Sequence, residues 1–185
     1  FVGAALSSNI IHWCKRDGQW IWEKIIDVEN VRHPEWPIPV PGLISVILIS
    51  MDDRFLYVAC FGTGDLHQYD VSDPFKPTLT GKVRVGGIVS RTPHPKATTG
   101  TLNGGPQMVE ISRDGRRVYF TNSLYGAIDA QFYPEGIDGW MVKLDAKPEG
   151  GIAFDKEFFV DWPAPHRPHQ VRLQGGDCAS DSYCY

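Results

Sequence analysis

A chain of 185 residues with 42% hydrophobic and 22% charged side chains can bury one substantial core and is too apolar for intrinsic disorder. Its formal net charge of -4 supplies no basic stripe for phosphates, which argues against a nucleic-acid partner. No apolar run approaches the roughly 20 residues that span a bilayer, so membrane insertion is not expected.

The opening stretch, FVGAALSSNIIHWCKRDGQWIWEKIIDV, shows neither an initiator Met nor a signal-peptide pattern. It reads as the later strands of one unit in a longer protein. LISVILIS (43–50) has the length and branched side chains of a buried strand. From Leu48 to Phe61 the sequence LISMDDRFLYVACF then finds an echo, EISRDGRRVYFTNS, at Glu110–Ser123. Ser50 maps to Ser112, Asp52 to Asp114, Arg54 to Arg116 and Tyr57 to Tyr119. Each copy reads as strand, tight turn over Asp-Asp or Asp-Gly, then strand, with the positive φ angles of a two-residue hairpin at the tip.

A third strand follows each copy, in GDLHQYDVSDP (64–74) and GWMVKLDAKPEGG (139–151). A fourth follows that, in PTLTGKVRVG (77–86) and IAFDKEFFVDW (152–162). Between the units lies a long aperiodic insertion, GGIVSRTPHPKATTGTLNGG (86–105), of the kind that is functional or mobile. Repeated units of four antiparallel strands predict an all-β fold, a β-propeller of which this chain holds about two and a half four-stranded blades. The approximate blades are 1–40, 41–103 and 104–185, all of one domain. Propellers close with about 4–8 blades, so the remainder of a larger ring is expected to complete this one. A two-sheet β-sandwich is the alternative, and the matched Ser-Asp-Arg-Tyr register weighs against it.

Cys14, Cys60, Cys178 and Cys184 are too scattered for a disulfide framework and form no CxxC. Cys60, after FLYVA, reads as a small buried hydrophobe, and a bridge between Cys178 and Cys184 stays open. No G-x-S-x-G elbow, P-loop, HExxH pair or dinucleotide fingerprint is present, so hydrolase, nucleotide and zinc-protease readings lack support.

Long stretches resemble the selenium-binding protein family, which includes the methanethiol oxidases. They are FVGAALSS, PGLISVILISMDDRFLYVACF, GDLHQYDVSDPFKPTLTGKV, GGPQMVEISRDGRRVYFTNSLYGAIDAQFYP and GGDCASD, in family order along nearly the whole chain. The resemblance is to the C-terminal part of a protein more than twice this length, and it implies a β-propeller. It also implies an activity: oxidation of methanethiol by dioxygen and water to formaldehyde, hydrogen sulfide and hydrogen peroxide, with copper held by histidines. The family's selenium-binding cysteine belongs to the N-terminal part, so none of the four cysteines inherits that role. Bacterial members with a signal peptide act in the periplasm and animal members in the cytosol, which leaves compartment open.

The family's C-terminal motif carries a histidine shortly before Gly-Gly-Asp-Cys, which here is His169. The resemblance makes His169 the expected copper ligand, imidazole nitrogen being a suitable donor. Asp177 is the expected carboxylate orienting that imidazole, with capping of backbone amides as its structural alternative. His166 is a weaker second ligand, because residues three apart on an extended chain point to opposite faces. Cys178 reads as packed core, with a sulfur contribution to the metal or to thiol handling as its alternative. Gln107, in the stiff GGPQM turn, is a candidate to face the channel. Tyr125, Phe132 and Tyr133 are candidates to line an apolar thiol pocket, or simply a packed loop. His12, His33, His67 and His94 read as structural. A non-enzymatic selenium-binding or protein-interaction propeller is the alternative function.

Overall fold

Each copy of the Ser-x-Asp-x-Arg echo closes a hairpin in the computed structural model, which describes residues 1–122 and 124–181. In the first, the Ser50 hydroxyl donates to Asp52 Oδ1 at 2.6 Å and accepts the Phe55 N–H at 2.9 Å. In the second, Ser112 donates to Asp114 Oδ1 and accepts the Arg117 N–H at 3.1 Å. The two-residue turn expected from Asp-Gly is not what forms. Ser50 and Phe55 face each other across a longer loop, a turn from Ser50 to Asp53 whose last residue has φ 57°. Gly115 takes the matching place at φ 70°. The serine hydroxyl bonds the aspartate side chain at the tip and the backbone N–H across the loop, which makes the longer turn the better satisfied one.

The strands are β1 (Val2–Ala4), β2 (Asn9–Arg16), β3 (Gln19–Asp27), β4 (Ile44–Ile49), β5 (Phe55–Cys60), β6 (Asp65–Asp70), β7 (Thr78–Arg84), β8 (Gly86–Gly87), β9 (Ser90–Pro93), β10 (Thr101–Leu102), β11 (Val109–Ile111), β12 (Arg117–Thr121), β13 (Gly139–Ala146) and β14 (Ile152–Trp162). One short helix, α1 (Gly126–Phe132), lies between β12 and β13. β4–β7 and β11–β14 are two four-stranded antiparallel sheets in sequence order, and β1–β3 is a three-stranded one. β4 packs beside both β1 and β11, and β7 beside β14, so first strands meet first and last meet last. That is the blade arrangement of a β-propeller.

This stacking explains why FLYVAC reads as an unbroken apolar run. Phe55, Tyr57 and Ala59 join the core shared with β11–β14, while Leu56, Val58 and Cys60 join the core shared with β1–β3. Both faces of β5 are covered, so alternation disappears. The sheets are also tied by Gln68, whose amide donates to Tyr57 Oη at 2.8 Å and accepts from Thr80 at 2.9 Å and from the Gly151 N–H at 2.7 Å. At the outer edge a Cβ on Gly81 would stand 2.7 Å from Ile152, which is why glycine sits there.

The insertion forms a small sheet, β8–β10, and a strap over β14. His94 is buried on that strap, its ring stacked 4.8 Å from Phe159. Lys96 donates to the Glu157 carbonyl at 2.6 Å, and Thr98 donates to Asp161.

Candidate functional site on the loop side

The connections from β5 to β6 and from β12 to β13 emerge at one end of the blades, with the segments that lead into β4 and β11. The Ser-x-Asp-x-Arg hairpins occupy the other end. His169 belongs to the first end: the Thr121 hydroxyl, on the last residue of β12, donates to its carbonyl at 2.7 Å. The His169 ring is half-buried and lies 5.7 Å from that of Tyr125.

Asp177 belongs to the opposite end. Its Oδ2 accepts from Arg117 Nη2 at 2.7 Å, and its Oδ1 accepts the Arg113 N–H at 2.9 Å. These two bonds hold the Asp177 carboxyl below the usual range. Arg117 and Thr121 bound β12, four residues apart and so about 13 Å at a strand's rise. The segment from His169 to Asp177 therefore runs the length of the blade, and the expected imidazole–carboxylate pair does not assemble. The capping role is the one Asp177 has.

From that end, GGDC forms part of a latch. Cys178 is buried with a free thiol, and its sulfur accepts the Leu173 N–H at 3.1 Å. Burial raises its pKa. Glu110, buried on β11, receives Arg172 Nη1 at 3.0 Å, the Ser180 hydroxyl and the Ser180 N–H at 3.2 Å. Cys184, and with it any pairing to Cys178, lies outside the described residues. His166 is exposed.

Among the described residues no three of His, Cys, Asp and Glu converge as a metal site. His67 is buried on β6, bonded through Nδ1 to Tyr69 Oη at 3.1 Å, and burial lowers its pKa to about 4. His94 is enclosed by Phe154 and Phe159. Among the described residues, His169 thus stands on the loop side without two further His, Cys, Asp or Glu side chains gathered beside it.

The loop side also carries an aromatic cluster. Phe61 meets Phe132 at 5.9 Å and Tyr133 at 6.3 Å, and Trp36 stacks on Phe132 at 5.9 Å. Trp36, Ile88, Arg91, Phe132, Tyr133 and Glu135 line a cleft of about 330 Å³, with Arg91 and Glu135 ion-paired at 2.5 Å. Of the three aromatics named as pocket-lining or loop-packing candidates, Phe132 and Tyr133 pack against Phe61, and Tyr125 lies beside His169. Thr63 and Trp36 are part of this side without having been expected. The glycines on either side of Thr63 in FGTG were the available signal, since they let its loop pack under neighbouring main chain.

The sequence profile of the 56kDa selenium binding protein (SBP56) family matches residues 1–184. Selenium-binding protein 1 of Arabidopsis thaliana is 40% identical over 98% of this chain and 42% of its own length. A mouse (Mus musculus) protein named methanethiol oxidase is 42% identical over 98% of this chain and 43% of its own. The X-ray structure of a hypothetical selenium-binding protein from Sulfolobus tokodaii matches with a TM-score of 0.87 and 54% identity, over 96% of this chain and 40% of that one. The chain spans less than half the length of these curated relatives.

Proposed function

The chain belongs to the 56kDa selenium binding protein family, and from that membership we propose that it is part of a copper-dependent methanethiol oxidase. The reaction is methanethiol plus dioxygen plus water giving formaldehyde, hydrogen sulfide and hydrogen peroxide. The carbon is oxidised by two electrons, dioxygen is reduced by two to peroxide, and water supplies the formaldehyde oxygen. Copper, when bound, supplies the redox chemistry that connects those two half-reactions.

The observation that carries this reading is the loop side itself. A half-buried imidazole, His169, stands beside Tyr125 at the same end of the blades as the Phe61–Phe132–Tyr133 cluster. A nitrogen donor near apolar aromatic surface suits a soft metal and a small thiol. His169 would supply one ligand and the aromatic side chains would keep water from the methyl group. The remaining ligands would come from elsewhere in the protein.

The test is metal content and turnover of the full-length protein beside His169→Ala. Near-stoichiometric copper in the wild type, lost in the variant together with methanethiol-dependent peroxide release, is the expected result. Copper unchanged in the variant would make His169 structural. One observation favours a second reading, a non-catalytic selenium-binding propeller: no three ligand side chains converge among the described residues. A wild-type protein that holds no copper and turns over no thiol would establish that reading instead.

A further inference from the structure

The two Ser-x-Asp-x-Arg hairpins frame a second cleft, of about 340 Å³, at the end of the blades away from His169. Met51, Asp52, Arg113, Asp114, Arg116 and Lys147 line it. Its walls are fixed main chain. The Arg116 carbonyl accepts the Ala146 N–H at 2.8 Å, which brings the next residue, Lys147, to the same rim as Arg116. Lys147 opens a turn that the Gly150 N–H closes on its carbonyl at 3.0 Å. From the other sheet, Arg54 Nη1 donates to the Pro148 carbonyl at 3.0 Å and ties that turn down.

The charges on this cleft are unevenly spent. Asp52 accepts the Ser50 hydroxyl and the Arg54 N–H, at 2.6 and 3.2 Å. Asp114 accepts the Ser112 hydroxyl, the Arg116 N–H at 2.9 Å and Arg117 at 3.3 Å. Both carboxylates are thus engaged within their own hairpins. Arg113 reaches only the Asp181 carbonyl, at 3.4 Å. Among the described residues, the Arg116 guanidinium and the Lys147 ammonium have no hydrogen-bond or ion-pair partner. Glu149, on the same turn as Lys147, does not line the cleft.

Comparison of the two hairpins shows what Arg116 lacks. Its counterpart Arg54 is committed three ways, to Asp70 at 3.1 Å, to the Pro148 carbonyl and to the Phe55 ring at 4.7 Å. Asp70 lies opposite Phe55 in its sheet as Asp145 lies opposite Arg117. Asp145 is therefore the equivalent partner for Arg116, yet it pairs with Lys143 at 3.4 Å. A single exposed arginine is ordinary. An arginine and a lysine, both without counter-charge on one walled cleft, are the make-up of an anion site. The guanidinium offers a planar fork to two oxygens and the ammonium a point charge to a third. Two cations with that reach suit a phosphate dianion better than a carboxylate. Met51 and Pro148 add apolar surface beside them, and the volume is that of a small-ligand site.

We propose that this cleft binds a small organic phosphate monoester. Arg116 grips two phosphate oxygens, Lys147 a third, and Met51 with Pro148 receives the apolar part. The site stands apart from the oxidase reading, since His169 is at the other end of the blades.

The experiment is calorimetric titration of phenyl phosphate, inorganic phosphate and benzoate into the full-length protein, at low salt and above the second phosphate pKa of about 6. Wild type is compared with Arg116→Ala, Lys147→Ala and, far from the cleft on β3, Lys24→Ala. Phenyl phosphate should bind most tightly, inorganic phosphate less so and benzoate least. Arg116→Ala and Lys147→Ala should each weaken phenyl phosphate about tenfold, and Lys24→Ala should bind as wild type does. Added salt should weaken wild-type binding. Thermal midpoints should stay in place, since both side chains are exposed, so lost binding is not lost folding. A wild type that binds no phenyl phosphate, full affinity in both cleft variants, or benzoate bound as tightly as phenyl phosphate overturns the site.

Discussion

Arg172 places its guanidinium 3.0 Å from the buried carboxylate of Glu110, and so fastens the last described turn to the first strand of its blade. Glu110 also accepts from Ser180 twice and from the Ile111 N–H at 3.0 Å. Every donor around it expects an acceptor. Glu110→Gln turns an NH₂ toward one of them and removes the charge Arg172 pairs with. We expect a loss of about 2 kcal/mol in a urea titration, with hydrogen exchange accelerated in residues 171–181 and little changed in β5. Uniform acceleration throughout would contradict a local latch.

On the loop side Gly105 lies hard against Phe61, its absent Cβ 1.9 Å from the Phe61 oxygen. Gly105→Ala has to push two main-chain segments apart, and should cost about 3 kcal/mol or prevent folding. At Gly126, on α1, a Cβ meets nothing within 4 Å. Gly126→Ala should leave the thermal midpoint nearly unchanged. Equal effects at the two positions would show that the Phe61 contact is softer than described.

His67 sets an acid limit. In the folded chain burial, reinforced by Lys82 and Arg84 and opposed by Asp65, lowers its pKa from 6.5 to about 4. The unfolded chain therefore takes up the proton first as pH falls. Stability is full above about pH 6.5 and declines toward pH 4, by about 1.4 kcal/mol per unit and roughly 3 kcal/mol in all. Asp65, whose folded pKa is lowered mainly by Arg84 and Lys82 against the cost of burial, loses its contribution only below this window. Stability curves at pH 7, 5.5 and 4.5 for wild type and His67→Gln should diverge at pH 7 and converge at pH 4.5. Parallel curves would remove His67 from the explanation.

Cysteine reactivity should separate by burial. Cys60 is fully buried with its pKa pushed up to about 12, and Cys178 is buried with a raised pKa. Cys14 is half-buried on β2. With iodoacetamide at pH 8, peptide mass spectrometry should find Cys14 labelled while Cys60 and Cys178 stay unmodified until denaturant is added. Rapid native labelling of Cys178 would mean that the latch opens readily.

The blades were legible because hairpins and strand alternation are local: the echo fixed which residues sit at equivalent turns, down to Asp53 and Gly115. The turn length was misjudged because the Ser50 hydroxyl, not the dipeptide at the tip, closes the loop. Contacts between distant segments were not legible. Glu110 alternates with Val109 and Ile111 like a solvent-facing residue, and only the returning chain at Arg172 and Ser180 buries it. Asp177 looked like a partner for His169 because they are near in sequence, yet an extended segment carries them to opposite ends of the blade. Gln107 stood out in GGPQM, whereas its burial depends on strands that the local sequence does not specify.

The strap carrying His94, Lys96 and Thr98 changes what joins the two four-stranded sheets. A plain linker would let them swing about the contact between β4 and β11. Laid across β14, the linker braces the outer rim while Gln68 bolts the middle. Sheets held at axis, middle and rim have no low-energy way to separate, so heat should melt them in one step. The cleft they share on the loop side inherits that stiffness, so its shape is set before anything enters it.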